Sequence, residues 1–552
     1  MAETLVRPDQ RTDVGTALGS NRARIWTMAV ACMGVSLVIA SMVALNTALG
    51  DIAVATSATQ SQLTWVVDGY TVVLACLLLP AGAVGDRYGR RGALLIGLAI
   101  FALASVAAAV FTSPLHIIVA RGVAGAGAAF IMPATLSLLT AAYRPDERMK
   151  AVGIWAGVAG CGGVIGMLGS GGLLYFWPWQ SIFWAFAGGA ALIFVLACTV
   201  SSSRDDQATP LDWVGAALIG GAVAVFVFGV VEAPQQGWSN PLVYGSLAAG
   251  VVLAALFGFV ELRRRHPLLD VRLFRRPDFA TGSATITVFF VAMFGFFFVM
   301  MQFVQLVMGY SPIGTAIAFS PLMLPMLTFS ILSRWYLPRL GLRLVIFVGL
   351  LLISAGFLWL RVLDVNSPYW DMMWPLLVVS TGIGLCTAPT TSVIMAAVPD
   401  EKQGVASAVN DTTREVGAAL GIALAGSILA ARYGHVIAPH LTPFPEPVRG
   451  PASHSLAQAL ELSERLGPQG AQLADISRSA FLAATQSSVL VLGVIIAVAA
   501  LLIAAWAPGR DGQQLRLVRQ IVSRRRNSDD ELRSPVAEHD DAGVRAATGD
   551  RR

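Results

Sequence analysis

Charge is what this chain has least of. Asp, Glu, Lys and Arg make up 13% of its 552 residues, against roughly 25% in ordinary soluble domains. Lysine is nearly missing: Lys150 and Lys402 stand alone among many arginines, a bias of genomic composition rather than a nucleic-acid footprint. The five cysteines (Cys32, Cys76, Cys161, Cys198, Cys386) are scattered through apolar runs with no CxxC spacing, which excludes a disulfide framework and a cysteine metal site. None of the 6 histidines has an acidic or cysteine partner at ligand spacing. No GxxxxGK[ST] phosphate loop occurs, so nucleotide hydrolysis cannot power the protein directly. Polar linkers are also missing from the body of the chain, which excludes a string of soluble domains. With no catalytic constellation, the chain is not expected to be an enzyme or to need a cofactor.

Apolar residues fill the space that charge leaves. They make up 56% of the sequence, with a mean hydropathy of +0.68. A helix needs about 20 apolar residues to cross the hydrocarbon core. Such runs fall near 26–50, 63–84, 93–112, 115–140, 152–177, 179–200 and 213–231. They continue near 242–261, 279–308, 313–333, 343–361, 374–398, 404–431 and 481–506. The expectation is an all-α membrane protein with 14 transmembrane helices. Residues 1–25 and 507–552 are expected to be polar tails, the second rich in arginine, and 433–480 an external loop with an amphipathic stretch near Ala457–Leu466.

Orientation follows from the basic residues. Alternate connections carry Arg22 and Arg24, then Arg87, Arg90 and Arg91, then Arg144, Arg148 and Lys150, with six arginines between Arg263 and Arg276 further on. The opposite connections hold only Arg361, Arg432, Arg449, Arg465 and Arg478. The positive-inside rule therefore puts both termini in the cytoplasm of a plasma (inner) membrane protein.

Within the spans the expected polar interior is small. Asp68, Arg121, Asp411, Arg414 and Glu415 each cost about 2.5–3.5 kcal/mol at the bilayer centre on insertion scales, so they must face inward and find partners. Counting helical rise puts Asp68 and Arg121 at about the same depth from the outer edge, where an ion pair is possible. Asp411 and Glu415, four apart, share a helical face with Arg414 beside both. Three acids against two arginines leave one carboxylate to take up and release a proton. Gln302 and Gln305, three apart amid Phe296–Phe298 and nearby methionines, are expected to face a substrate pocket.

The segment Gly82-Ala-Val-Gly85-Asp86-Arg87-Tyr-Gly89-Arg90-Arg91 reads as a tight cytoplasmic turn. Its Asp86 is placed to cap a helix or pair with an arginine, a conformational latch. This segment resembles the GxLaDrxGrk signature of the major facilitator superfamily. Arg121-Gly-Val-Ala-Gly125-Ala-Gly127 is similar to that superfamily's RxxqGxgaA motif. Trp65-Val-Val-Asp68, Leu268-Leu-Asp270-Val-Arg-Leu-Phe and Asn410-Asp-Thr-Thr-Arg414-Glu-Val-Gly417 look like its fourteen-spanner drug:proton antiporters, the QacA- and EmrB-like multidrug exporters.

The resemblance implies a major facilitator fold of two six-helix bundles (26–200 and 279–506) with an inserted pair (213–262). It implies export of small amphipathic or cationic compounds in exchange for protons, by a monomer whose other partner is the lipid bilayer, with no nucleic acid involved. Asp68, Arg121, Asp411, Arg414 and Glu415 would be the proton-coupling residues, and Ser41, Asn46, Gln302 and Gln305 would line the substrate site. Two positions depart from the pattern: Ser41 stands where an acid is usual in span one, and Met167 replaces the proline of the span-five glycine motif. The alternatives are an exporter dedicated to one metabolite, lipid or siderophore, and a membrane sensor or scaffold on a transporter shell.

Overall fold

The computed structural model describes residues 21–58, 60–202, 211–265, 267–465 and 468–509, and all its regular structure is helical. The expected tails lie almost wholly outside the described residues. In chain order the helices are α1 (Asn21–Ala44), α2 (Leu49–Thr56), α3 (Gln60–Tyr88), α4 (Arg90–Val110), α5 (Pro114–Ala142) and α6 (Pro145–Phe176). There follow α7 (Gln180–Ala197), α8 (Trp213–Gln236), α9 (Pro241–Arg263), α10 (Pro277–Gln302), α11 (Pro312–Phe319) and α12 (Met323–Trp359). The last are α13 (Tyr369–Ala396), α14 (Gln403–Ile437), α15 (Glu446–His454), α16 (Leu456–Arg465) and α17 (Pro468–Trp506).

Among the described residues, 13 segments are long and apolar enough to cross a membrane. The sequence reading of 14 differs by one, because its runs 313–333 and 343–361 here belong to a single segment, Ile313–Val362. That segment is interrupted at Gly341, whose φ of 76° is open to glycine but strained for other residues.

Packing sorts the helices. α1 lies against α5, α6 and α7, and α3 and α4 against α5. In the second half α12 packs on α13 and α17, and α10 on α14. α8 and α9 pair with each other, and α8 also leans on α3 and α14. The halves meet where α14 crosses α3 and α5, and where α6 crosses α12 and α13. Large apolar side chains such as Leu103, Val195, Val252 and Leu502 remain exposed; on a soluble protein such a surface would drive association, and here it faces lipid.

Three local expectations change. The segment 82–91 is not a loop: α3 runs to Tyr88, and the turn is Gly89 alone (φ 112°) before α4 begins at Arg90. Gly82 and Gly85 lie inside α3 and serve close packing instead. The segment 433–480 is largely helical: α14 runs on to Ile437, α15 and α16 form a cap, and α17 starts at Pro468. Tyr433 ties the cap down by donating to the Ala452 carbonyl at 3.0 Å. Finally, α10 ends in a π-helical turn, Phe303–Val307, so Gln302 and Gln305 do not keep the α-helical spacing expected of them.

Candidate functional site

Arg121 is fully enclosed, and its partners are neutral. Its Nη1 donates to the Ser41 hydroxyl at 2.8 Å, Nη2 to the Ser41 carbonyl at 3.2 Å and Nε to the Val66 carbonyl at 3.1 Å. The guanidinium lies 4.2 Å from the centroid of the Tyr70 ring. Three helices thus converge on one side chain: α1 through Ser41, α3 through Val66 and Tyr70, and α5 through Arg121 itself. An oxygen shell and an aromatic face stabilise the cation without a counter-ion.

The expected Asp68–Arg121 pair does not form. Asp68 turns to the other side of α3, towards α8, where Glu232 lies within electrostatic reach and Trp65 stacks on Phe228 at 5.9 Å. Equal depth along two helices does not make two side chains face each other.

The second charged group sits on α14. Asp411, Arg414 and Glu415 are all buried, and Arg414 Nη1 lies 3.9 Å from Asp411 Oδ1. Arg414 also donates to the Thr391 hydroxyl at 3.3 Å, and Asn410 donates to Asp411 at 3.0 Å. The two groups approach one another through Tyr70. Its buried phenol, which donates to the Val38 carbonyl at 3.2 Å, feels both Arg121 and Glu415.

The other pocket residues are less engaged. Asn46 is exposed in a 3₁₀ turn after α1 and donates to the Val43 carbonyl. Gln302 donates to the Phe298 carbonyl at 3.0 Å. Gln305 is half-buried within the π turn, a distortion often found at functional sites. Ser41 is fully taken up by Arg121.

At the opposite end of α3, Asp86 joins the two halves. Its Oδ1 accepts from the Gly404 amide at 2.8 Å and from Arg90 Nε at 2.9 Å, and its Oδ2 accepts from the Val405 amide at 3.0 Å. These amides belong to the first turn of α14, where free N–H groups and the helix dipole favour an anion. Gly82, one turn earlier, lets the backbones meet: a Cβ there would lie 2.5 Å from the Gly404 carbonyl oxygen. Arg90 Nη2 donates to the Asp400 carbonyl at 2.7 Å, and Arg148 forks onto the Asp400 carboxylate at 2.7 and 2.9 Å. Arg91 donates to the Val200 carbonyl at 3.1 Å, and Arg87 lies over the exposed Tyr88 ring. Sequence reasoning missed Tyr70, Trp155, Arg148 and Asp400. Only Asp400, after Pro399 and just before α14, carried a signal, that of a helix start.

The Major Facilitator Superfamily model matches residues 26–422. Multidrug resistance protein Stp of Mycobacterium tuberculosis (strain CDC 1551) is 33% identical over 443 residues, covering 80% of this chain and 82% of that protein. The tetracenomycin C resistance and export protein of Streptomyces glaucescens is 29% identical over 499 residues, covering 87% of this chain and 91% of that protein. In solved structures the fold is similar to the human organic anion transporter MFSD10 (TETRAN), with a TM-score of 0.56, 14% identity, and coverage of 87% of this chain and 99% of that one. With all-helical architecture, membrane-crossing segments and this similarity in hand, the chain is a multi-pass membrane protein that belongs to the Major Facilitator Superfamily, a family of transporters rather than enzymes.

Proposed function

We propose that this protein exports small amphipathic compounds, cationic ones among them, in exchange for protons, by alternating access in the plasma (inner) membrane. The observation that carries the reading is the Asp411–Arg414–Glu415 cluster: two carboxylates and one guanidinium buried on the helix that crosses both α3 and α5. A fixed structural pair needs one acid per base, so the second acid is free to cycle a proton. In this reading Asp68 takes up protons from outside and Asp411 or Glu415 releases them inward, while Arg121 holds α1, α3 and α5 of its bundle together. The similarity to resistance and export proteins supports outward transport.

The reading has 14 crossings. A segment of 50 residues would run about 75 Å as one helix, against a hydrocarbon core of about 30 Å; a break at Gly341 makes it two. Residues 26–200 and 279–506 are then the two bundles, 213–262 the inserted pair, and both termini are cytoplasmic. Exposed aromatic residues mark both interfaces, Tyr175, Phe176, Trp177, Trp359 and Trp370 on one side and Trp26, Tyr88, Trp213 and Trp335 on the other, as an aromatic belt does; the orientation itself rests on the arginine distribution. Asp86, Arg90 and their glycine neighbours then form a cytoplasmic latch, closed here, and the protein works as a monomer.

The test is purified protein in proteoliposomes with an imposed pH gradient and a panel of fluorescent dyes. Wild type should accumulate dye only with the gradient, and Asp68→Asn should abolish uncoupler-sensitive transport with expression intact. Undiminished transport by Asp68→Asn would refute its assignment. A second reading, an exporter dedicated to one compound, is supported by the similarity to the tetracenomycin C protein. It predicts that loss of the gene changes what the cell secretes and leaves drug tolerance unchanged.

A further inference from the structure

We propose that Trp155, Phe290, Asp411 and Glu415 form a binding site for the positively charged head of an organic cation, and that Arg414 fills this site when no substrate is present. The inference rests on the export reading and gives it a place where charge is recognised.

The guanidinium of Arg414 lies 5.1 Å from the Trp155 ring centroid and 5.4 Å from that of Phe290. Trp155 comes from α6 in one half, while Phe290 on α10 and Arg414 on α14 come from the other. Arg414 is 2% exposed and Trp155 is 0%. For an arginine beside two acids, its ionic contacts are poor. The approach to Asp411 at 3.9 Å is beyond hydrogen-bond length, and the one side-chain hydrogen bond shown goes to Thr391. Glu415 Oε2 and Arg414 Nε are buried without a hydrogen-bond partner, and Asp411 Oδ2 has only the neighbouring Ser407 hydroxyl to draw on. Each such orphan is costly in a dry interior unless something else satisfies it at another stage.

Two aromatic faces with carboxylate oxygens to spare are the chemistry that recognises a diffuse organic cation. Within a protein, arginine is the side chain that best imitates such a ligand, being planar, delocalised and weakly hydrated. Arg414 and a cationic substrate therefore compete for one place. A displaced Arg414 has acceptors close by: the Thr391 hydroxyl and Asn410 Oδ1, the latter also buried and unpartnered. Because Trp155 belongs to one half and the carboxylates to the other, the occupied site spans the surface along which the halves must part.

The experiment measures equilibrium binding of tetraphenylphosphonium to the purified full chain in detergent, with no gradient. Arg414→Ala removes the internal competitor, and binding should tighten about thirtyfold, the worth of one desolvated cation–aromatic contact. Adding Trp155→Leu should cancel the gain, and adding Trp155→Phe should keep most of it. A neutral amphipathic probe should bind wild type and Arg414→Ala alike. If Arg414→Ala elutes aggregated, Arg414→Gln, neutral and of similar length, takes its place. The inference is overturned by a folded variant that binds the cation no tighter, by an equal gain for the neutral probe, or by a gain that survives Trp155→Leu. Wild type that pumps dye in proteoliposomes beside an Arg414→Ala that binds no tighter overturns this inference alone. Cation binding that behaves as expected in a protein that moves no dye overturns the transport reading alone.

Discussion

Replacing Asp86 by alanine should open the end of the molecule at which α3 meets α14. The carboxylate holds two amides of the first turn of α14, at 2.8 and 3.0 Å, and Arg90 Nε at 2.9 Å. All of this is buried: the side chains of Arg90 and Asp86 are 3% and 7% exposed. Hydrogen bonds to a charged group are worth about 1.5–3 kcal/mol each, and an unmatched buried partner adds its own penalty. Once the halves separate, water satisfies the same groups, so the penalty falls on the closed state. Taking only about 3 kcal/mol as the net difference, the closed-to-open ratio falls by about two orders of magnitude. Asp86→Asn keeps an acceptor for one amide and should shift the ratio by about tenfold. Both shifts are readable as distance distributions between spin labels at Tyr88→Cys and Glu401→Cys, two exposed positions flanking the contact, with the native cysteines, all free, replaced. Wild-type distributions in a folded Asp86→Ala protein would refute the reasoning.

Other substitutions probe the remaining contacts. Ser41→Asp puts a carboxylate 2.8 Å from where Arg121 Nη1 now meets a hydroxyl; a charge-assisted bond is roughly twice as strong as a neutral one, so the purified protein should melt higher, and an unchanged or lower melting temperature counts against the neutral shell described for Arg121. Arg148→Ala removes an exposed fork onto Asp400, worth about 0.2–1 kcal/mol; the same spin-label pair should report a shift of less than about fivefold, shrinking further in high salt. Tyr70→Phe keeps the ring beneath Arg121 and should transport nearly as wild type, whereas Tyr70→Leu removes a cation–aromatic contact worth about 2 kcal/mol when desolvated and should lower both stability and the transport rate. Equal behaviour of the two variants would show that the ring face is irrelevant.

Membrane segments are legible in sequence because hydrocarbon imposes one requirement, length and apolarity, on every crossing helix. Asp411 and Glu415 were legible for a similar reason: a spacing of four fixes a shared face whatever surrounds it. What a side chain meets across a helix boundary was not. Rise per residue gives the depths of Asp68 and Arg121 but not their azimuth, so Arg121 was paired with an acid when it bonds Ser41 and Val66 instead. Three glycines between Gly82 and Gly89 looked equally able to turn the chain, and only the backbone shows that Gly89 does so while Gly82 faces α14. Trp155 and Tyr70 were two aromatics among many in apolar runs, and nothing in their neighbourhood marks that an arginine rests on each.

The meeting of Gly82 with Gly404 has one more consequence. A machine driven by a downhill flow of hydronium cannot tolerate a file of solvent running past its gate, for such a file conducts without doing work. Two main chains touching with only hydrogen atoms between them leave no channel for that file. In the proton-exchange reading proposed above, the glycines therefore guard thermodynamic efficiency as much as geometry, and the fault to look for when they are enlarged is a short circuit.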